Sequence, residues 1–375
     1  MKEKTRSLLF GFILVAASIV NIIHPIRSYS EQENKYLQKF PDLSLNTFIS
    51  GKFSTDFEKY STDQFAFREN WVSLKTFSDL TLQKKDNSRI YFGKEGYLFE
   101  VPKVIDQKQF DRNMQAINSF IENTTNFNTN IKFSALLVPN KVTVLDDYLP
   151  KHAPTLDEIA LIERIADSLN GINIHSLVNL FKENSDKNIY YKTDHHWSSE
   201  GAFLAYEYYR KENNLESILK ESFEIKLESE DFLGTLYRKA NFYPYSADSI
   251  YSYNHKNHLT FSIKDFEGKD IEGFYDASKL IGLDKYSFFL GGDKPLLRVE
   301  SSLKNDKTLL IIKDSYANSF IPFISMHYER VIIVDPRYFH RGYEQLVIDE
   351  DVNEILLLFN SENLAQQKSI FNLSN

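Results

Sequence analysis

The sequence predicts an α/β protein in which a parallel sheet is covered by helices on both faces, with a β-rich insertion and an N-terminal membrane helix. Three observations carry that expectation. Upstream of about residue 216, apolar β-rich runs alternate with helical periods. The alternation resumes near the C-terminus as "KTLLIIK", "SYANSFIPFISMHY", "RVIIVD", "GYEQLVID" and "EILLLF", a βαβαβ series of the doubly wound kind. Between them, from about 216 to 300, short aromatic runs ("FEIKL", "HLTFSI", "YSFFL") show few helical periods and mark the insertion.

In chain order, Lys2, Lys4 and Arg6 precede the apolar run Leu8–Ile23. Residues 1–29 are therefore expected to be a membrane anchor or a signal segment. With no small-residue cleavage site in view the anchor is favoured, which leaves the rest of the chain outside the membrane, or secreted if the segment is cleaved. Residues 30–85 have mixed helical spacing and are expected to form a helical stalk; residues 86–375 form the main domain. In that domain "RIYFGKEGYLFEV" reads as a hairpin. "FDRNMQAINSFI" places Phe110, Met114, Ile117 and Ile121 on one helical face, and "IKFSALLVP" is a buried strand. The helix in "TLDEIALIERIADSLN" is expected to open with a capping box of Thr155 and Glu158.

Composition narrows the function. At 375 residues and 42% apolar content the chain can fill a large core. The net charge of -8, with both signs interspersed, argues against nucleic acid as a partner. Without cysteine there is no disulfide, thiolate nucleophile or Cys-ligated metal.

Ligands of such a sheet bind beyond the carboxyl ends of the strands. Ser315 follows "KTLLIIK" where a helix is expected to begin, so free amides and the helix dipole would face a developing oxyanion; the plainer reading is a helix cap, and Asp314 reads as such a cap. "DHHW" at Asp194 to Trp197 offers the base that a serine needs. In an extended segment Asp194 and His196 share one side, so the aspartate can orient the imidazole toward Ser315. His195 is the spare and Trp197 a packing anchor, with Ser198 or Ser199 capping the next helix. Adjacent histidines point apart in a strand, so no metal site is expected. "HKNH" at 255–258 reads as a solvated loop. Arg337 is either an anion-binding fork or the salt-bridge partner of Asp335. Asn140 and Lys141 also fall at the ligand edge, divided evenly between site and loop.

"TDHHWSSEGAFLAY", "IKDSYANSFIPF" and "VDPRYF", together with "YSTDQFAFREN", "YFGKEGYLFE" and "DFLGTLY", resemble the bacterial DHHW proteins over nearly the whole chain. That family is related to the N-terminal domains of the alginate O-acetyltransferases in the SGNH hydrolase superfamily. The resemblance implies a three-layer α/β/α, flavodoxin-like (SGNH-like) sheet with a triad in the chain order Asp194, His196, Ser315. Lys313 stands where the superfamily has glycine in its Gly-Asp-Ser block. For the oxyanion and substrate contacts the candidates are the Ser315 amide, Gly291, Gly292, the Gly234 region and Asn360, with Asn140, Lys141 and Arg337. The expected activity is extracytoplasmic O-acetyl transfer to a cell-surface polysaccharide through an acetyl-serine, with no cofactor and a membrane-bound O-acyltransferase partner as acetyl donor. The alternatives are a carbohydrate acetyl-esterase with the same residues, or a non-catalytic carbohydrate-binding or assembly protein.

Overall fold

The computed structural model describes residues 2–30, 35–240, 246–256 and 259–374. The chain divides into two units, one drawn from 1–87 and 238–244, the other from 88–237 and 245–375.

In the first unit, α1 (Lys2–Ile23) is followed by helices at Leu45–Ile49, Lys52–Asp63 and Arg68–Thr81. The span Lys4–Ile23 has mean hydropathy 2.1 and none of it is buried, so by length and composition it suits a membrane span or a signal sequence.

The second unit is built on an eight-stranded sheet. Its strands in chain order are β1 (Lys132–Val138), β2 (Asn173–Ser176), β3 (Phe261–Asp265), β4 (Asp270–Ile271), β5 (Leu296–Ser301), β6 (Thr308–Lys313), β7 (Arg330–Val334) and β8 (Glu354–Asn360). They lie in the order β4-β3-β5-β7-β6-β8-β1-β2. From β7 to β2 all pairings are parallel, while β5, β3 and β4 extend the edge antiparallel. Much of the β-rich stretch thus joins the main sheet; its first part forms a separate ribbon of Phe223–Phe232 against Asp248–His255. "YSFFL" is no strand: Lys285–Phe288 is a 3-10 turn.

Period-two alternation divides the apolar runs between two cores, which is why strands covered on both faces need continuous apolar sequence. Leu309 and Ile311 of β6 and Leu356 and Leu358 of β8 enter one core, and Leu310, Ile312, Ile355 and Leu357 enter the other. Helices α2 (Gln107–Phe127) and α3 (Glu158–Ser168) cover the second core through Phe110, Met114, Ile117, Leu161 and Ile165. On the first, α4 (Ser199–Glu212) packs Ala202, Phe203, Tyr206 and Tyr209. The hairpin around "GKEG" forms as expected, Ile90–Phe92 pairing antiparallel with Leu98–Glu100.

Counted from β6, the parallel strands lie in the order 2-1-3-4-5, the doubly wound order, with β1 and β2 supplying its fourth and fifth places. The chain is therefore permuted relative to that order. This is the physical reason the histidine segment, which follows β2, precedes the serine in sequence. The switch point falls between β6 and β8, where Ser315 and Asn360 emerge.

Two further expectations of local structure fail in this unit. α3 has no Thr155–Glu158 capping box: its N-cap is Asp157, which accepts the Ala160 amide at 3.0 Å, and Glu158 turns inward. The segment after Ser315 is a 3-10 turn (Ser315–Ser319), a short helix (Ile321–Ile324) and another 3-10 turn rather than one helix, because Pro322 has no N–H to continue the ladder. The dipole expected behind Ser315 shrinks accordingly.

Candidate active site

The "DHHW" segment is a tight loop, not an extended strand. Tyr190 and Trp197 form an antiparallel bridge at its base, and the Tyr191 amide reaches the His196 carbonyl at 3.3 Å. Asp194 and His196 meet through an Asx-type turn: Asp194 Oδ1 accepts the His196 amide at 3.0 Å and lies 2.6 Å from His196 Nδ1. The other imidazole nitrogen, Nε2, is 2.7 Å from Ser315 Oγ. Three side chains from two distant parts of the sequence thus form one continuous hydrogen-bonded chain.

Asp194 is nearly inaccessible, and its second oxygen takes the Thr235 amide at 2.6 Å and the Thr235 hydroxyl at 2.9 Å. Burial alone would raise its carboxyl. The charges of His195 and His196 and the side-chain and backbone hydrogen bonds from His196 outweigh it and hold the group well below the usual carboxylate range. Gly234 permits this approach, since a Cβ there would overlap the Asp194 side chain. The Gly234 region therefore supports the aspartate; its own amide bonds to Thr193 Oγ1.

Tyr286 stacks flat on His196, with ring centroids 3.7 Å apart and planes 2° from parallel. Its hydroxyl donates to the Ser315 carbonyl at 3.2 Å. Tyr316 packs against His196 at a tilt and donates to the His195 carbonyl at 2.7 Å. Trp197 is fully buried, and its indole N–H is shared between the Tyr316 carbonyl and Ser319 Oγ, tying the histidine loop to the serine turn. His195 Nδ1 lies 2.7 Å from Thr235 Oγ1. Asp194, His195 and His196 each place a ligand atom within 4.8 Å of the others, as a metal site would. Both nitrogens of His196 are, however, already engaged with Asp194 and Ser315.

The remaining candidates spread around this chain. The Ser315 amide makes no hydrogen bond among the described residues. Asp314 caps the serine turn by accepting the Tyr316 amide, and also takes the Asn360 amide and Asn363 Nδ2. The Asn360 side chain is consumed capping the helix Ser361–Gln366 and donating to Val138 and Asn140. Asn140 in turn binds Glu158, a buried acid that sequence reasoning assigned only to a helix cap; burial raises its carboxyl despite hydrogen bonds from Ser361, Thr143 and Asn140. Gly291 and Gly292, at φ 67° and 89°, belong to a turn beside Asp276 and Ser287. Arg337 takes the salt-bridge alternative, forking onto Asp335 and Asp293. Lys313, in the glycine place, is buried against the same Asp293 at 3.1 Å. Of the 255–258 candidate, Asn257 and His258 lie outside the described residues. A cavity of about 610 Å³ borders the stems of the histidine loop at Tyr190, Tyr191, Ser198 and Ser199, together with Tyr251 and Tyr253; Asp194, His196 and Ser315 do not line it.

Lys141 departs furthest from its expected place at the ligand edge. Its ammonium is buried beneath the loop and donates to the carbonyls of Tyr191 (2.8 Å), Lys192 (3.1 Å) and Asp194 (2.8 Å). Burial pushes it down to about 7, against the opposing pull of the Asp248 and Asp194 charges. Lys141→Met is expected to destabilise the protein by about 2–4 kcal/mol in urea unfolding, because it strands the buried Tyr191 and Asp194 carbonyls. Below about 7 the folded and unfolded chains both carry the proton; between there and the ordinary 10.5 only the unfolded chain does. This lysine therefore adds stability as pH rises through that window, and the substitution should remove that slope.

Residues 162–334 match the DHHW protein family. Among solved structures, a DHHW family protein from Eubacterium siraeum superposes with a TM-score of 0.63 at 21% identity, covering 76% of this chain and 98% of that one. PatB1 of Bacillus cereus, solved with a sulfonyl adduct, gives 0.66 at 21% identity, covering 78% of this chain and 100% of its own. At such identities the likeness establishes the fold. Among curated proteins, the FMN-dependent NADH:quinone oxidoreductase of Mesomycoplasma hyopneumoniae is 26% identical over 144 residues, 38% of this chain; the match spans 65% of that relative's length, short of two thirds. The segment that matches the DHHW protein family runs from within α3 to the end of β7 and holds Asp194, His196 and Ser315.

Proposed function

We propose that this chain is a serine-dependent O-acetyltransferase, anchored in the membrane by α1 with its catalytic unit outside the cytoplasm, that acetylates a cell-surface polysaccharide. The observation that carries the reading is the continuous hydrogen-bonded chain from Asp194 through His196 to Ser315. The family's relation to the alginate O-acetyltransferases favours acetyl as the group transferred and a membrane-bound O-acyltransferase as the donor, since acetyl-CoA is confined to the cytoplasm.

Ser315 Oγ attacks the acetyl carbonyl carbon as His196 Nε2 takes its proton, and ionised Asp194 steadies the resulting imidazolium. The carbonyl oxygen becomes an oxyanion, for which the unengaged Ser315 amide is the nearest donor of the right kind. Collapse expels the donor's leaving group, which takes the proton from His196 and leaves acetyl-Ser315. A sugar hydroxyl then attacks the ester carbon and loses its proton to His196. Ser315 Oγ departs and recovers that proton, so atoms and protons balance over the cycle. With water in place of the sugar the same steps give hydrolysis.

Tyr286 gives the imidazolium a π face to rest on. That contact is worth about 1 kcal/mol, so Tyr286→Leu is expected to lower kcat about fivefold with KM little changed, while Tyr286→Phe keeps the stack and most of the rate. Steady-state kinetics of the two variants read the difference.

The direct test is to incubate the protein with an activated acetyl ester, with and without oligosaccharide, and to follow peptide masses and products. Acetyl on Ser315 that passes to the sugar supports transfer. Release only as acetate would make the protein an esterase, and an unmodified Ser315 would remove the covalent mechanism. A sulfonyl fluoride provides a parallel label, since the solved PatB1 carries a sulfonyl adduct.

A further inference from the structure

The helical unit behind α1 is turned inside out. Its helix Arg68–Thr81 buries Thr76 and Asp79 while Trp71, Leu74 and Phe77 stand 55%, 55% and 58% exposed. The buried polar groups are satisfied within the unit. Thr76 Oγ1 donates to the Ala240 carbonyl at 2.9 Å, and Asp79 pairs with Lys75 at 3.0 Å and Lys84 at 2.7 Å. A helix facing water has the opposite arrangement.

Two features identify what covers this face. The first is attachment: the outer end of the unburied apolar span Lys4–Ile23 is fastened to the same helices. Asn21 Oδ1 accepts the Ala66 amide at 2.8 Å, the Arg27 guanidinium grips Glu69 at 2.8 and 3.2 Å, and Gln64 donates to the Arg27 carbonyl at 2.8 Å. The second is strain. Phe67 is held at φ 57°, a left-handed conformation unfavourable for a bulky residue, with its ring edge-on to His24 and 57% exposed. The apolar span and the outward aromatic face are therefore held together by side-chain bonds at the point where the span ends.

We infer that this face, centred on Phe67, Trp71 and Leu74, lies in the interfacial layer of a lipid bilayer, where aromatic side chains are favoured. The inference rests on the reading of α1 as an anchor and adds a second, flat attachment that fixes the unit against the membrane surface.

The full-length chain in phosphatidylcholine vesicles tests it, because the protein has two tryptophans and Trp197 is 0% exposed. Trp71 thus reports its own surroundings. Vesicles with brominated acyl chains are expected to quench most of the Trp71 emission, and the quenchable component should vanish in Trp71→Phe, which leaves acetyl transfer unchanged. A chain that floats with vesicles but keeps its Trp71 emission in brominated lipid overturns the inference and leaves the anchor standing. Trp71 shielded from both brominated lipid and aqueous iodide overturns it too, in favour of a protein surface or a second copy. A chain that does not float overturns the anchor and the inference together.

Discussion

Ser315→Ala is expected to abolish acetyl labelling and to lower acyl transfer on the order of 10⁵-fold, with the fold intact. No neighbouring group can take over the nucleophile's place. Ser315 Oγ is the atom within 2.7 Å of His196 Nε2, and the hydroxyls nearby are committed elsewhere: Ser319 Oγ accepts the Trp197 indole N–H, and the Tyr286 hydroxyl donates to the Ser315 carbonyl. The magnitude follows from losing covalent catalysis while substrate binding and oxyanion contacts persist. Kinetics with an acetyl ester and an oligosaccharide measure it, beside a thermal melt. A variant that still transfers acetyl at more than a tenth of the parent rate would remove Ser315 from the mechanism, and unchanged surface acetylation in cells would favour the non-catalytic carbohydrate-binding reading.

Asp194→Asn is expected to cost about 10⁴-fold in kcat, by a different route. The carboxylate accepts every hydrogen bond it makes: from the His196 amide, His196 Nδ1, and the Thr235 amide and hydroxyl. An amide that keeps its oxygen on Thr235 turns its NH₂ toward Nδ1. That selects the imidazole tautomer with the proton on Nε2, where it faces Ser315 and can no longer receive a proton. The signature is a lost kcat with slow residual labelling of Ser315. The parent carboxyl sits well below the usual range, so Asp194 stays ionised through neutral pH. Stability contributed by that depressed carboxyl is present above the unfolded carboxylate value and disappears as pH falls through the folded one; Asp194→Asn should lose that acid-side dependence.

How legible these features were depends on how local their causes are. The strands "TLLIIK", "VIIV" and "ILLLF" are readable because a parallel strand must be apolar on both faces, and the structure divides their residues alternately between two cores. The βαβαβ series was readable in its strands but not in its first helix, where Pro322 breaks a pattern of helical periodicity. Ser315 could be named as a candidate because it lies just past a strand end, and Asp194 and His196 because their cluster offers the base that a serine needs. A hydrogen-bonded turn, not strand alternation, sets Asp194 and His196 side by side.

Tyr286, Thr235 and the inward courses of Glu158 and Lys141 carried no readable signal. Each acts through a contact with a segment remote in sequence, and tyrosine, threonine or glycine in an aromatic stretch looks the same whether or not it touches a histidine loop. Gly234 is the nearest to an exception, since a lone glycine beside a strand-like run marks a close backbone approach without saying to what.

By itself the sequence determined the layered α/β class, the apolar N-terminal helix, and a short set of candidates for nucleophilic chemistry, because these depend on composition, period and spacing within a few residues. Only the tertiary structure decided that a histidine and a serine 119 positions apart meet at 2.7 Å, and that β1 and β2 complete a sheet begun by β6. The reason is physical: strand order and long-range side-chain partners are set by the packing of whole layers, a property of all the apolar faces together and of no single segment.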